Sequence, residues 1–143
     1  MPQPRVRPAR PADADGVWPL AREFGTSFTP ERAAFDASWN ALVTAPSSLL
    51  LVAEDDADRL VGYLLGNVHP TFLANGPVAW VEEVMVDPNR RGAGIGRALM
   101  EHAETWARNA GARYIALASR RAGAFYAALD YEDSAVFFKK NLS

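Results

Sequence analysis

Apolar and polar positions along the chain follow more than one period, and the changes of period lay out an order of strands and helices. Arg5-Val6-Arg7, with one valine between charges and prolines on either side, predicts a short edge strand. From Pro11 to Phe24 the apolar residues Val17, Leu20, Ala21 and Phe24 recur at helical spacing. Pro11 suits the first turn of that helix, and Asp13 and Asp15 suit the positive end of its dipole. Pro19 is expected to kink or split it. A second helix is expected from Pro30 to Thr44, striped by Ala34, Phe35, Trp39, Leu42 and Val43, with Thr29 as N-cap and Pro46 as its stop. Leu49–Ala53 is a continuous apolar run and Leu60–Val68 another, so an antiparallel hairpin is expected across the acidic turn Glu54–Asp58, which reads as solvated.

Beyond the hairpin, the link from Pro70 to Pro77 carries Phe72 and Leu73 between turn residues and has two readings, a disordered tip or a lid over a site. Trp80–Val86 is the next strand. Ile95, Leu99, Ala103, Trp106 and Ala110 then follow the course of a core-facing helix that Gly111 ends. Tyr114–Ala118 reads as a strand parallel to Trp80–Val86, because strand, helix and strand form a right-handed crossover. A short helix from Ala122 to Leu129 and two strands, Tyr131–Asp133 and Val136–Lys139, are expected to close the chain.

Between strand and helix, Asp87-Pro88-Asn89 turns into Arg90-Arg91-Gly92-Ala93-Gly94-Ile95-Gly96. Glycines there can take φ > 0 and bring backbone close to a ligand, while the helix that follows points unpaired N–H groups and its positive end at the same place. An anion is the expected guest. A P-loop requires Gly-Lys-Ser/Thr, whereas Gly96 is followed by Arg97 and Ala98. The dinucleotide fingerprint fits poorly too, since Arg97 stands where its third glycine belongs.

Composition narrows the setting. A chain of 143 residues with 49% hydrophobic and 22% charged residues suits one soluble domain with one core. Its net charge of −2 lacks the footprint of a nucleic-acid binder, and no apolar run suits a membrane span or a signal peptide, so the expectation is a cytoplasmic protein without nucleic-acid or membrane partners. Zero cysteines removes thiolate chemistry, and His69 and His102 stand apart from any ligand cluster, so no metal is expected.

Arg91-Gly92-Ala93-Gly94-Ile95-Gly96, after a strand ending in Val86-Asp87-Pro88, resembles the acyl-CoA loop of the GNAT superfamily of N-acyltransferases. Gly123-Ala124-Phe125-Tyr126-Ala127-Ala128-Leu129-Asp130-Tyr131 is similar to that family's C-terminal helix, with Asp130 in place of the usual glycine. The likeness in element order spans nearly the whole chain. It implies a single N-acetyltransferase domain over 1–143. The implied fold is α/β (α+β), with a mixed, largely antiparallel sheet of about six to seven strands, about four helices, and one parallel central pair splayed for the cofactor.

Carried over residue by residue, the resemblance implies that backbone groups of Met85 and Val86 line the pantetheine of acetyl-CoA. Amides from Gly92 through Ala93, Gly94, Ile95 and Gly96 to Arg97 would hold the pyrophosphate, with Arg91 the favoured charge among Arg90, Arg91, Arg97, Arg120 and Arg121. Ser119 falls where many relatives carry an asparagine near the pantetheine arm. The implied reaction is acetyl transfer to a primary amine of a small molecule or peptide by direct attack in a ternary complex, a cysteinyl acyl-enzyme being impossible here.

Such an amine, with a pKa of about 10.4, costs roughly 4–5 kcal/mol to present uncharged at neutrality, so a base is needed. Glu82 and Glu83 lie near the strand's end, and strict alternation sends them to opposite faces unless a bulge intervenes. Glu82 resembles the position more often used as base, and a backbone N–H near Val84 or Met85 would polarise the thioester carbonyl. Tyr126 resembles the tyrosine placed near the departing sulfur. Two readings of the whole stay open, an enzyme and a non-catalytic acyl-CoA-binding module. Exposed C-terminal strands carrying Phe137 and Phe138 offer an edge for a homodimer, and the alternative reading divides the two phenylalanines between core and solvent.

Overall fold

A computed structural model of the chain describes residues 4–25, 28–120 and 122–143. In chain order the elements are β1 (Arg5–Pro8), a 3-10 turn at Pro11–Asp13, α1 (Ala14–Phe24), α2 (Arg32–Leu42), β2 (Ser48–Glu54), β3 (Leu60–Pro70) and β4 (Pro77–Val86). A second 3-10 turn at Pro88–Arg90, α3 (Ile95–Asn109), β5 (Ile115–Leu117) and α4 (Gly123–Ala128) complete them. The five strands stand in sequence order, antiparallel from β1 to β4, with β5 parallel to β4.

The apolar runs explain the layers. Alternation in β2 sends Leu49, Leu51 and Ala53 to one face, where they meet Ile95, Leu99, Met100 and Ala103 of α3. Val52 goes to the other face with Tyr63, Met85, Val17 and Leu20 of α1, and Trp39 of α2. Gly111, at φ 78, ends α3 as expected. At the β1 edge, Arg7 sits 2.8 Å from Asp13 and 3.2 Å from Glu54, tying the edge strand to the start of α1. These hydrogen bonds raise the Arg7 pKa further above its ordinary value and lower those of Asp13 and Glu54.

Several expectations need correcting. Among the described residues the sheet has five strands rather than six or seven, because Tyr131–Asp133 and Val136–Lys139 form no ladder. Paired β5 is only three residues long, and residues 132–143 are exposed throughout, so neither a long ladder nor apolar burial offsets about 1–2 kcal/mol of backbone entropy per residue. The arm instead carries the Lys139 ammonium to within 5.7 Å of the Phe28 ring centre. Pro19 does not split α1: the carbonyl deprived of a partner belongs to Asp15, exposed in the first turn, where water can serve it. Thr29 is not the N-cap of α2. The helix starts later, with Glu31 at the cap and its carbonyl accepting from the Phe35 N–H at 2.9 Å.

The Pro70–Pro77 link is a hydrogen-bonded turn rather than a disordered tip, and of the possible sites for a lid the glycine loop lies out of its reach. Its turn is built by the Thr71 hydroxyl, which donates to the Gly76 carbonyl at 2.7 Å and accepts from the Ala74 N–H at 3.3 Å. It also sits at the start of β4, a ten-residue strand, so roughly 30 Å of chain separates it from the loop at the other end. The acidic turn is not merely solvated. Asp55 is buried, accepts from the Arg59 and Ala57 N–H groups at 2.9 and 3.0 Å, and pairs with Arg90 at 2.8 Å.

Candidate active site

The site begins where two strands part. Parallel pairing between β4 and β5 covers Ala79, Trp80 and Val81 against Ile115, Ala116 and Leu117, and goes no further. From Glu82 to Val86 strand β4 continues with β3 as its only ladder partner among the described residues, so on its other edge the backbone N–H and C=O groups have no ladder partner among them. Side chains of Val84 and Val86 pack on the α3 layer and Met85 is buried in the α1–α2 layer, which leaves backbone as what residues 84–86 present to a ligand.

At the same point the β3–β4 register shifts: Leu65 faces Glu83 while Gly66 faces Val81, so Glu82 is the extra residue of a β-bulge. Val81 and Val84 both belong to the α3 layer, and the two glutamates between them are turned from it together. Alternation alone would have separated them. Gly66 makes room for the bulge, since a Cβ there would lie 3.0 Å from the Trp80 carbonyl oxygen. Glu82 is exposed, whereas Glu83 is half-buried and accepts a 2.6 Å hydrogen bond from the Tyr63 hydroxyl. Burial first, and the Glu83 charge second, push the Tyr63 pKa far above its ordinary value, so this phenol remains a donor.

Beyond Val86 the Asp87 carboxylate accepts from the Asn89 N–H at 2.9 Å and sets the turn. Gly92 and Gly94 have φ of 84° and 82°, and a Cβ on either would meet nothing within 4 Å, so the cradle is open on that side. The first α3 bond runs from the Ala98 N–H to the Gly94 carbonyl at 3.0 Å, which leaves the amides of Ile95, Gly96 and Arg97 pointing out of the end of a 15-residue helix. The Ile95 side chain is buried in the core, so only its backbone serves the loop. Ala93 is exposed at the crest.

The arginines divide by partner. Arg90 is committed to Asp55, where the two backbone bonds and then the guanidinium hold the carboxyl below its ordinary pKa; this braces the loop against the β2–β3 turn. Arg91 reaches back to the Met85 sulfur at 3.8 Å, and Arg97 lies 3.8 Å from Glu101 on its own helix. Arg120 is exposed, and Arg121 lies outside the described residues. Ser119 accepts the Ala122 N–H at 3.0 Å and so shapes the approach to α4.

Helix α4 closes the α3 side. A Cβ on Gly96 would come within 3.2 Å of the Phe125 ring, so that glycine sets how closely α4 approaches the loop. Tyr126 packs edge-on against Phe125 at 4.9 Å and Tyr131 at 5.8 Å and joins the α3 layer; burial raises its pKa. Asp130 takes the left-handed conformation of the missing glycine, with φ 70°. Tyr126 and Glu83 therefore belong to opposite faces of the sheet, on either side of the parted strands. Sequence reasoning missed Tyr63. Its signal was a phenol at an inward position of an apolar strand, which needs a polar partner once buried.

The profile of the Acetyltransferase (GNAT) family matches residues 15–131. Aminoglycoside N(6′)-acetyltransferase type 1 of Stenotrophomonas maltophilia is 28% identical over 155 aligned positions, covering 97% of this chain and 94% of that protein. Among solved structures, glucosamine-6-phosphate N-acetyltransferase from Arabidopsis thaliana superposes with a TM-score of 0.87 at 16% identity, covering 99% of this chain and 100% of the other. An aminoglycoside 6′-N-acetyltransferase from Acinetobacter baumannii gives 0.80 at 21%, covering 98% and 99%. At those identities the structural likenesses speak to the fold alone. The profile match runs from α1 to Tyr131, most of the sequence, and on that span the chain belongs to the GNAT family of acetyltransferases.

Proposed function

We propose that this protein transfers an acetyl group from acetyl-CoA to a primary amine of a small molecule or peptide, by direct attack while both substrates are bound. One observation carries the proposal: the unpaired edge of β4 from Glu82 to Val86 leads within a single turn into an open glycine cradle at the start of α3. The fit to acetyl-CoA is chemical. Pantetheine has two amides that can complete an unfinished ladder, and a pyrophosphate suits the free amides of Ile95, Gly96 and Arg97.

Within that reading each residue has a task. The backbone N–H groups near Val84 and Met85 orient the thioester carbonyl and favour negative charge on its oxygen. Glu82 and Glu83, turned to the same side by the bulge, attract a cationic amine, and one of the pair accepts its proton. The Tyr126 phenol, held neutral by burial, donates a hydrogen bond to the departing sulfur. Full proton transfer from a phenol near pKa 10 to a thiolate near 8.5 is uphill by roughly 2 kcal/mol, so hydrogen-bond stabilisation suffices as its role. Amino sugars are the first acceptor class to try, given the aminoglycoside acetyltransferase among the relatives. The proposed assembly is a homodimer in which the arm bearing exposed Val136, Phe138 and Leu142 is covered.

The test supplies acetyl-CoA with a panel of aminoglycosides bearing a free 6′-amine, glucosamine 6-phosphate, polyamines and lysine peptides, and follows thiol release. Amine-dependent release is the expected result. Tight CoA binding by calorimetry without release from any acceptor would make the protein a binding module instead.

A further inference from the structure

We infer that Tyr63 is the positioning residue that makes Glu83, rather than Glu82, the group meeting the acceptor amine; the inference rests on the function proposed above. The family resemblance favours Glu82, but the bulge turns both carboxylates away from the α3 layer, so the strand itself does not choose between them. Tyr63 does. It is 2% exposed, stands opposite Met85 in the β3–β4 ladder, and reaches diagonally to Glu83, two residues along the same face. Its hydroxyl meets Glu83 Oε1 at 2.6 Å, so one carboxylate oxygen is fixed and Oε2 is left for a substrate.

Glu82, by contrast, is exposed and has no hydrogen-bonding side-chain partner among the described residues. A mobile carboxylate serves as a diffuse negative charge, whereas a clamped one holds an acceptor nitrogen at a set distance and direction, which is what proton removal during attack requires. The clamp also lies at the spot where β5 leaves β4, next to the edge proposed to hold the thioester. Tyr63 itself is too deeply buried to touch substrate. Its ring is part of the α1–α2 layer with Val17, Leu20 and Trp39, so the packing that holds that layer also fixes the hydroxyl.

The experiment is a double-mutant cycle on the full chain with acetyl-CoA and the best acceptor among the amino sugars, polyamines and peptides above. Tyr63→Phe keeps the ring; it should lower kcat about 10-fold while KM for acetyl-CoA stays within about twofold. Glu83→Gln should lower kcat by about 100-fold or more, and the double variant should be no slower than Glu83→Gln alone. Glu82→Gln should instead combine with Tyr63→Phe multiplicatively. Losses from Tyr63→Phe and Glu83→Gln that multiply, or a Tyr63→Phe enzyme with unchanged kcat, would overturn the inference while leaving the activity in place. Absence of turnover by the unmodified chain with every acceptor would overturn the proposed function, and this inference with it. Thermal melts of each variant separate lost folding from lost catalysis, and Glu83→Asp, which withdraws the carboxylate by one methylene, should reproduce the kcat loss in a folded protein.

Discussion

At the scale of single residues, the loop and the aromatic on α4 make separable contributions. Gly94 sits at φ 82° as the cap of α3, a conformation a β-branched side chain resists, and a Cβ there would project into the cradle proposed for the pyrophosphate. Gly94→Val should therefore weaken CoA binding by about 100-fold or more in a calorimetric titration; unchanged affinity would remove the loop from the site. Tyr126 makes a different demand. Because burial raises its pKa, any alkaline decline in kcat from this group should come at higher pH than for a free phenol. Tyr126→Phe should cost about 100-fold in kcat with little change in KM for acetyl-CoA, and an equally active variant would mark it as packing.

Elements decide which of those residues meet. Gly66 and the bulge opposite it convert two consecutive glutamates from opposite faces into neighbours, so Gly66→Ala should distort the bulge. Its Cβ would press on the Trp80 backbone oxygen, which cannot swing aside as a side-chain end can. A loss of about 1–3 kcal/mol in denaturant unfolding is expected, with a fall in kcat larger than the change in CoA affinity. Much of this scale was legible in the sequence. The β2–β3 hairpin, the strand–glycine loop–helix unit and the Gly111 stop follow from periodicity and turn chemistry, and their residues do what their types dictate. The bulge was only half legible: Gly66 inside a strand is a bulge signal, but the register that makes Glu82 the extra residue is a property of two paired strands. The C-terminal strands were misread because the β-branched and aromatic residues Val136, Phe137 and Phe138 state a preference, while a ladder needs a partner edge longer than β5 provides. Asp55 and Arg90, 35 positions apart, could not be paired by local reasoning at all.

For the molecule as a whole, acid should be the natural denaturant. Asp13 and Glu54 are held below their ordinary pKa chiefly by Arg7, and Asp55 chiefly by the Arg59 backbone N–H. Groups whose folded pKa is depressed contribute stability that is present above their unfolded pKa of about 4 and is lost as the pH falls through the folded value. Urea midpoints should therefore be level near neutrality and fall below about pH 4. An Arg7→Met variant should be less stable than the parent at pH 7, with the gap closing as these carboxyls protonate. A gap that widens in acid would contradict the assignment.

The central claim, that one continuous segment of β4, glycine loop and α3 holds an acyl donor while the bulge beside it receives an amine, is tested most directly by following both products of a single turnover. Protein in excess over acetyl-CoA is mixed with an accepted amine, and free thiol, acetylated amine and intact protein mass are measured together. The account predicts that thiol and acetylated amine appear in equal amounts, that neither appears without the amine, and that the protein mass never changes. Thiol released without acetylated amine, or an acetyl group carried on the protein before the amine is added, would contradict it.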